Sequence, residues 1–216
     1  MNTSKELEEF HAYGEEIKMK INFDKIRNSL FGGKLKQSQV DGINSILESI
    51  NKHGISKQQA AYVFSTVYHE TARTMQPIEE YGKGQGRPYG TWYKNSKGEL
   101  FSWKNGNKNT AYLYKDYPHL YYGRSFPQLT WFDNYEKAGK ILGVDFLRNP
   151  SLVMDLKYAS EILVVGMMDG WFTHKKLSDY INHSKKDYYN ARRIINSTDR
   201  AAMIAEYASE FEDALF

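Results

Sequence analysis

The chain is 216 residues long, 41% apolar and 15% aromatic, with a formal charge of only +3. That suits a real hydrophobic core and excludes both global disorder and blanket polyanion binding. It contains no cysteine, which excludes thiol nucleophiles, thiolate zinc sites and disulfide frameworks. Tyrosine outnumbers phenylalanine by 17 to 11, a tilt towards rings with a polar tip that suit wet surfaces, carbohydrate clefts among them.

Thr3 and Glu6 form a capping box for a helix near 4–19 with a broad polar face. No apolar signal core precedes or interrupts it, so synthesis in the cytoplasm without a signal peptide is expected. Asn22 to Phe31 reads as a second helix stopped by Gly32-Gly33. Between Gln37 and Lys52, Val40, Ile43, Ile46, Leu47 and Ile50 recur at helical spacing, and Gly54 ends the run. Ser56 with Gln59 caps the next helix, which is expected to reach Glu70 and to bury Ala60, Val63, Phe64 and Val67.

From Thr71 to Arg124 the helical period fails, punctuated by Gly82, Gly84, Gly86, Pro88 and Gly90. Thr91–Asn95 and Glu99–Lys104 flank Ser96-Lys97-Gly98 as a β-hairpin, with a second turn at Asn105-Gly106-Asn107. Strands are expected only here. Between Gly82 and Ser125 eight bases face two acids, a local charge of +6 that would draw an anionic polymer. No nucleic-acid motif accompanies the charge, so nucleic acid is not an expected partner.

Thr130 with Asp133 opens a helix over Trp131–Leu142, closed by Gly143, and Asn149-Pro150 marks another start. Asp155–Trp171 is the most apolar helix and the expected buried centre of the fold. Its apolar run, Ile162 to Met168, is too short to span a bilayer, so no stable membrane insertion is expected. Short helices near 175–182 and 186–195 precede a final amphipathic one from Thr198 to Leu215. No repeat or linker divides the chain. It reads as one catalytic domain over 1–216, with a helical segment at 1–34 leading a core of 35–216. The class is α+β, mainly α, with a small β-hairpin insert at about 82–125 after the helix that ends in Glu70.

His69-Glu70 lacks the second histidine of a zincin, because position 73 is Arg, and the six histidines offer no other ligand spacing. No metal or cofactor is therefore expected. There is no Gly-x-Ser-x-Gly elbow, and Gly82-x-Gly84-x-Gly86 has no parallel sheet around it. What remains is a carboxyl at the end of an apolar helix, Glu70, and two more past Pro77, Glu79 and Glu80. Cutting a sugar–sugar bond needs such a pair, one acid protonated and one ionised. The plain alternative is a helix-end glutamate in a salt bridge, with Glu79 and Glu80 facing solvent. Partial desolvation beside Tyr68 and Trp131 is expected to keep Glu70 protonated.

His69-Glu70-Thr71, the block Tyr122-Gly123-Arg124-Ser125-Phe126-Pro127-Gln128-Leu129-Thr130-Trp131, Asn134-Tyr135, Gly170-Trp171-Phe172-Thr173 and Ile194-Ile195-Asn196 together resemble the glycoside hydrolase family 19 chitinases. Within that family the likeness is nearer to phage endolysins, and it runs from about Leu35 to Leu215. The resemblance implies a lysozyme-like fold and inverting hydrolysis of a polysaccharide containing N-acetylglucosamine. Glu70 would be the general acid, and Glu79 or Glu80 the second carboxylate. Thr130 would help position the attacking water. Gln128 and Asn134 would bind substrate, with His69, Tyr122 and Trp131 lining the cleft and Arg193 and Asn196 closing its far side. Arg124 would either orient a carboxylate or anchor the turn at Gly123. The implied role is a monomeric endolysin cutting peptidoglycan glycan strands during host lysis, reaching the cell wall from the cytoplasm with a holin-type partner. A chitinase, or a non-catalytic wall-binding or virion protein that kept the fold, are the alternatives. Ser125, Pro127 and Ser197 depart from the family pattern, in which Gly is usual at the first and last, and so bear on substrate preference.

Overall fold

A computed structural model describes residues 18–84 and 121–216, together with the backbone of three short strands at 92–94, 100–103 and 111–113. The expected helix at 4–19 and the turns at 96–98 and 105–107 lie outside the described residues, except that 18–20 carry no helix.

Local signals set most of the helices. α1 is Phe23–Ser29, and the chain then turns through Gly32 and Gly33, both at positive φ. α2, Gln37–His53, ends on Gly54 in the left-handed conformation, whose N–H closes on the Ile50 carbonyl. α3, Lys57–Glu70, begins with a reciprocal capping box. Gln59 N–H donates to Ser56 Oγ, and Ser56 N–H donates to Gln59 Oε1, each at 3.2 Å.

Every residue of α3 from Ala60 to Tyr68 is buried. The sequence pattern marks one face of this helix, but the structure surrounds it on all sides. α3 therefore shares the centre with α5, Leu156–Asp169, which is buried from Ala159 through Met167. The final helix α7, Ala201–Ala214, closes over α3, with Phe64 stacked on Phe211 at 5.4 Å and Tyr68 edge-on to Tyr207 at 4.7 Å. α2 lies against α5 through Ser45 and Ser160, whose hydroxyls are 2.9 Å apart, and through Lys52 and His53 on Glu161. A second cluster, Tyr121, Phe132, Tyr135, Phe146, Ile162 and Trp171, packs α4, Phe132–Leu142, against the same central helix. Among the described residues no helix is long and apolar enough to cross a membrane.

Strands are more widespread than the sequence suggests. β2 (Trp92–Lys94), β3 (Leu100–Trp103) and β4 (Ala111–Leu113) form a three-stranded antiparallel sheet, one strand more than the expected hairpin. β1, Ile78–Glu79, pairs antiparallel with β5, Arg124–Ser125, a pairing between segments that the sequence reads as loop. Where helices were expected near 175–182 and 186–195, the chain makes one turn of helix, α6 (Leu177–Tyr180), and then a hairpin of β6 (Ile181–Asn182) and β7 (Lys185–Lys186). A 3₁₀ turn at Asn190–Ile194 follows. The reason is local. Asn182 Oδ1 accepts from both the N–H and the hydroxyl of Ser184, a side-chain turn that reverses the chain between β6 and β7. Another 3₁₀ turn, Pro150–Met154, occupies the start expected at Asn149-Pro150. The family-like lysozyme architecture, helical with small antiparallel ribbons beside the helix that ends in Glu70, is the fold observed.

Candidate active site

The carboxyl groups sit on one continuous stretch. α3 delivers Glu70 at its last turn, the chain winds through 71–77, and β1 presents Glu79 and then Glu80. Thr71 makes the winding possible. Its hydroxyl donates to the Val67 carbonyl at 2.7 Å and accepts from Met75 N–H at 3.0 Å.

Glu70 is 21% exposed and is paired with Arg192, which is 4% exposed, through Nη1 to Oε1. The Arg192 Nε–H donates to the Asp199 carbonyl at 3.0 Å, so the guanidinium is held from behind. The immediate partner of Glu70 is thus a buried cation rather than the apolar wall of Tyr68 and Trp131 expected from sequence. Its second oxygen, Oε2, accepts no hydrogen bond among the described residues. His69 is half-buried beside it, and burial holds its imidazole below the usual range, with the charges of Glu70, Arg192 and Arg200 nearby.

The two candidates for the second carboxylate have different surroundings, because successive residues of a strand point to opposite faces. Glu79 stands across from Arg124 in the β1–β5 register. It accepts from the Tyr122 hydroxyl at 2.7 Å and lies 3.3 Å from Lys83 Nζ and 3.6 Å from Arg124 Nε. The Tyr122 hydrogen bond, ahead of the two cations, holds the Glu79 carboxyl below the usual carboxylate range. Arg124 itself is 3% exposed. Its guanidinium lies 3.5 Å over the Tyr122 ring and donates to Tyr135 Oη at 2.9 Å, and that hydroxyl donates to the Tyr122 carbonyl. Glu79 is therefore knitted into a compact charged and aromatic cluster.

Glu80 turns the other way. Its Oε2 accepts from Gly123 N–H at 2.8 Å, while its own N–H donates to the Gly123 carbonyl at 2.7 Å. Gln128 comes to the same place, because the chain folds back on itself between Arg124 and Leu129 through Ser125 and Gln128 at positive φ. A Cβ on Gly123 would collide with the Gln128 amide oxygen and sit 3.0 Å from Glu80 Oε2, so only glycine lets both side chains close on this backbone. Thr130 Oγ donates to the Gln128 carbonyl at 2.8 Å, and Asn134 Nδ2 to the Thr130 carbonyl at 2.7 Å. Glu80, Gln128, Thr130 and Asn134 thus form one connected group. Trp131, at φ 78°, is the residue that caps α4. The expected Thr130–Asp133 cap is absent, and Thr130's hydroxyl is directed at Gln128 instead.

On the far side, Arg193 is exposed and Asn196 is held by its N–H on the Arg192 carbonyl at 3.0 Å. The sequence reading chose Arg193 and missed Arg192. In the 3₁₀ turn Arg192 faces inward and Arg193 outward, and no periodic signal precedes a turn this short. Among the described residues no three acids or histidines converge to hold a metal ion. The arrangement offers a partly buried, cation-oriented carboxyl and a hydrogen-bonded carboxyl on the next loop, which is the equipment of acid–base hydrolysis.

The family model of class I chitinases, glycoside hydrolase family 19, matches residues 48–178, more than half of the chain. No curated relative matches the sequence. Among solved structures, chitinase C from Streptomyces griseus HUT6037 aligns with a TM-score of 0.55 at 19% identity. The alignment covers 83% of this chain and 91% of that one. A bacterial family 19 chitinase aligns with a TM-score of 0.53 at 19% identity, over 90% of this chain and 94% of its own. At such identities the likeness is one of fold, and the fold is the same.

Proposed function

This chain belongs to glycoside hydrolase family 19, and from that premise we propose that it cleaves the glycan strands of bacterial peptidoglycan by inverting acid–base catalysis. Glycan hydrolysis follows from the family. The wall polymer as substrate, the endolysin role and the division of labour between carboxyl groups are our reading. The observation that carries it is the pairing of Glu80 and Gln128 on Gly123, directly along the chain from an Arg192-oriented Glu70.

In this mechanism Glu70, once protonated on the Oε2 that Arg192 leaves unengaged, gives that proton to the glycosidic oxygen as the bond from the anomeric carbon to that oxygen breaks. Glu80, ionised, takes a proton from water as the water oxygen attacks the anomeric carbon from the opposite face. The product is a hemiacetal of inverted configuration, and the leaving sugar departs as the free alcohol. Room for that water requires carboxyl groups roughly 6.5–9.5 Å apart. Gln128, which reaches the Gly123 backbone beside Glu80, and Thr130, bonded to the Gln128 carbonyl, orient the sugar's amide and the water, while Glu79 stays ionised in its cluster and holds the β1–β5 ribbon. Glu80 is preferred to Glu79 because Tyr122, Lys83 and Arg124 already engage Glu79. The net +6 of the segment from Gly82 to Ser125 supports an anionic wall as target, reached during lysis with a holin-type partner.

Chitin is the second reading, favoured by the chitinases among the structural neighbours. Release of fragments from purified cell walls and from chitin, followed with wild type, Glu70→Gln, Glu79→Gln and Glu80→Gln, tests both. The expected result is wall cleavage that falls by about 10²–10⁴-fold in Glu70→Gln and Glu80→Gln and changes little in Glu79→Gln. Turnover of chitin alone would select the second reading, and a silent Glu70→Gln would remove the acid–base assignment altogether.

A further inference from the structure

Gly42 lies in the interior of α2, where a glycine costs about 0.5–1 kcal/mol relative to alanine. It is buried, and the reason for its presence is a close approach of backbone. A Cβ at this position would fall 1.8 Å from the Met75 carbonyl oxygen, 3.0 Å from its carbon and 3.1 Å from Gln76 Nε2. α2 therefore carries a notch that receives the Met75 carbonyl, and the Met75 side chain beyond it is fully buried.

The same stretch is gripped on either side of the notch. Gln39 Nε2 donates to the Arg73 carbonyl at 2.9 Å, and Gln76 Nε2 donates back to the Ser38 carbonyl of α2. Around these grips Ala72, Arg73 and Met75 all have positive φ, at 49°, 70° and 54°. Non-glycine residues hold such conformations only where their surroundings over-determine them. This strained, socketed stretch is the direct connection from Glu70 to Glu80.

We propose that Gly42 is a positioning residue, and that its notch, with Gln39 and Gln76, sets the separation of the two carboxyl groups. The inference rests on the reading of Glu70 and Glu80 as acid and base. Of the two ends of the connection, Glu70 is the better fixed, because the helix behind it is buried over Ala60–Tyr68. Glu80 is held by Gly123 and a two-rung ribbon, so displacement at Met75 is taken up at the Glu80 end. To admit a Cβ, the Met75 backbone must retreat by more than an ångström, since real contacts stay above 3.0 Å. A misplacement of that size costs on the order of 10²-fold in rate when it separates reacting groups.

The test compares kcat and KM on purified cell walls, or on chitin if that is the substrate, for wild type, Gly42→Ala, Glu80→Gln and the double variant. Far-UV circular dichroism and thermal melts run alongside. Gly42→Ala is expected to lower kcat by about 10²-fold with KM nearly unchanged and the melt still cooperative, its Tm lowered by the displaced backbone. It should add nothing to the residual rate of Glu80→Gln, because a group already lost cannot be misplaced again. Wild-type kcat in Gly42→Ala, or losses that multiply with Glu80→Gln, would overturn the proposal. Should Gly42→Ala fail to fold, Gln39→Ala/Gln76→Ala loosens the same socket without added bulk. It is expected to lower kcat and again to add nothing to Glu80→Gln, and an unchanged kcat refutes the socket. An inactive Glu80→Gln beside a fully active Gly42→Ala would defeat this inference alone, whereas a fully active Glu80→Gln would defeat the acid–base reading with it.

Discussion

Replacing Arg192 by methionine removes the cation that faces Glu70 while keeping most of the side chain's volume. Two groups lose their partner: the Glu70 carboxylate, and the Asp199 carbonyl that accepts from Nε at 3.0 Å. Breaking a fully buried ion pair costs about 3–5 kcal/mol. Glu70 is 21% exposed, so water recovers part of that, and about 2 kcal/mol is the better figure for the pair. The lost bond to the carbonyl adds about 1 kcal/mol. The expected destabilisation is about 3 kcal/mol, or roughly 6–12 °C in Tm for a chain of this length. The rate should fall too, by about 10–100-fold, because the acid loses its fixed orientation. The assay is a double-mutant cycle of thermal melts with Arg192→Met, Glu70→Gln and both. In the Glu70→Gln background the arginine faces a neutral amide, so removing it should cost about 1.5 kcal/mol less than in wild type. Equal costs in the two backgrounds, or a total loss below about 1 kcal/mol, would refute the view that this pair anchors the site.

Three further outcomes follow from the same geometry. Ser125 is fully buried at φ 81° with no partner for its Oγ among the described residues, so Ser125→Gly should raise stability by about 1 kcal/mol and Tm by roughly 2–4 °C in a calorimetric scan. Gly123→Ala should keep the fold and depress kcat/KM by about 10–100-fold in the wall assay, because its Cβ displaces Gln128 and Glu80. The Tyr122 bond holds the folded-state pKa of Glu79 down, so its stabilisation is present above the unfolded value and vanishes as pH falls through the folded one. The Tm gap between wild type and Tyr122→Phe should therefore be full at pH 7 and close below the usual carboxylate range, which melts between pH 7 and pH 3 will record.

Elements whose start and stop are written in neighbouring residues were legible in the sequence. The Ser56–Gln59 box and the glycines at 54 and 143 mark real helix ends, and the apolar spacing of α2 is its buried face, whereas the central helix, expected to reach Trp171, stops at Asp169 on Gly170 in the left-handed conformation. Elements decided by distant partners were not. β1 and β5 are two residues each and exist because their pairing, continued by the Glu80 N–H on the Gly123 carbonyl, joins segments distant in the chain. The same holds for the site. The motif residues Glu70, Gln128 and Thr130 were readable. Arg192, separated from Glu70 by most of the chain, was not, and nor was Gly42, whose small size has meaning only against Met75. The +6 segment lies largely outside the described residues, so its part in binding belongs to the assays.

The β1–β5 ribbon places neighbouring glutamates on opposite sides of a single peptide plane, one committed to a charged cluster and the other to the Gly123 edge. Their duties are thus set by parity rather than by identity. Inserting one residue between Pro77 and Ile78, if it slid the strand by one rung, would bring Glu79 to the Gly123 edge and Ile78 to the charged cluster, which would lose its carboxylate. A slip of two would put Ile78 or Gly82 at that edge, so the length of the connection is fixed by the carboxyl it delivers.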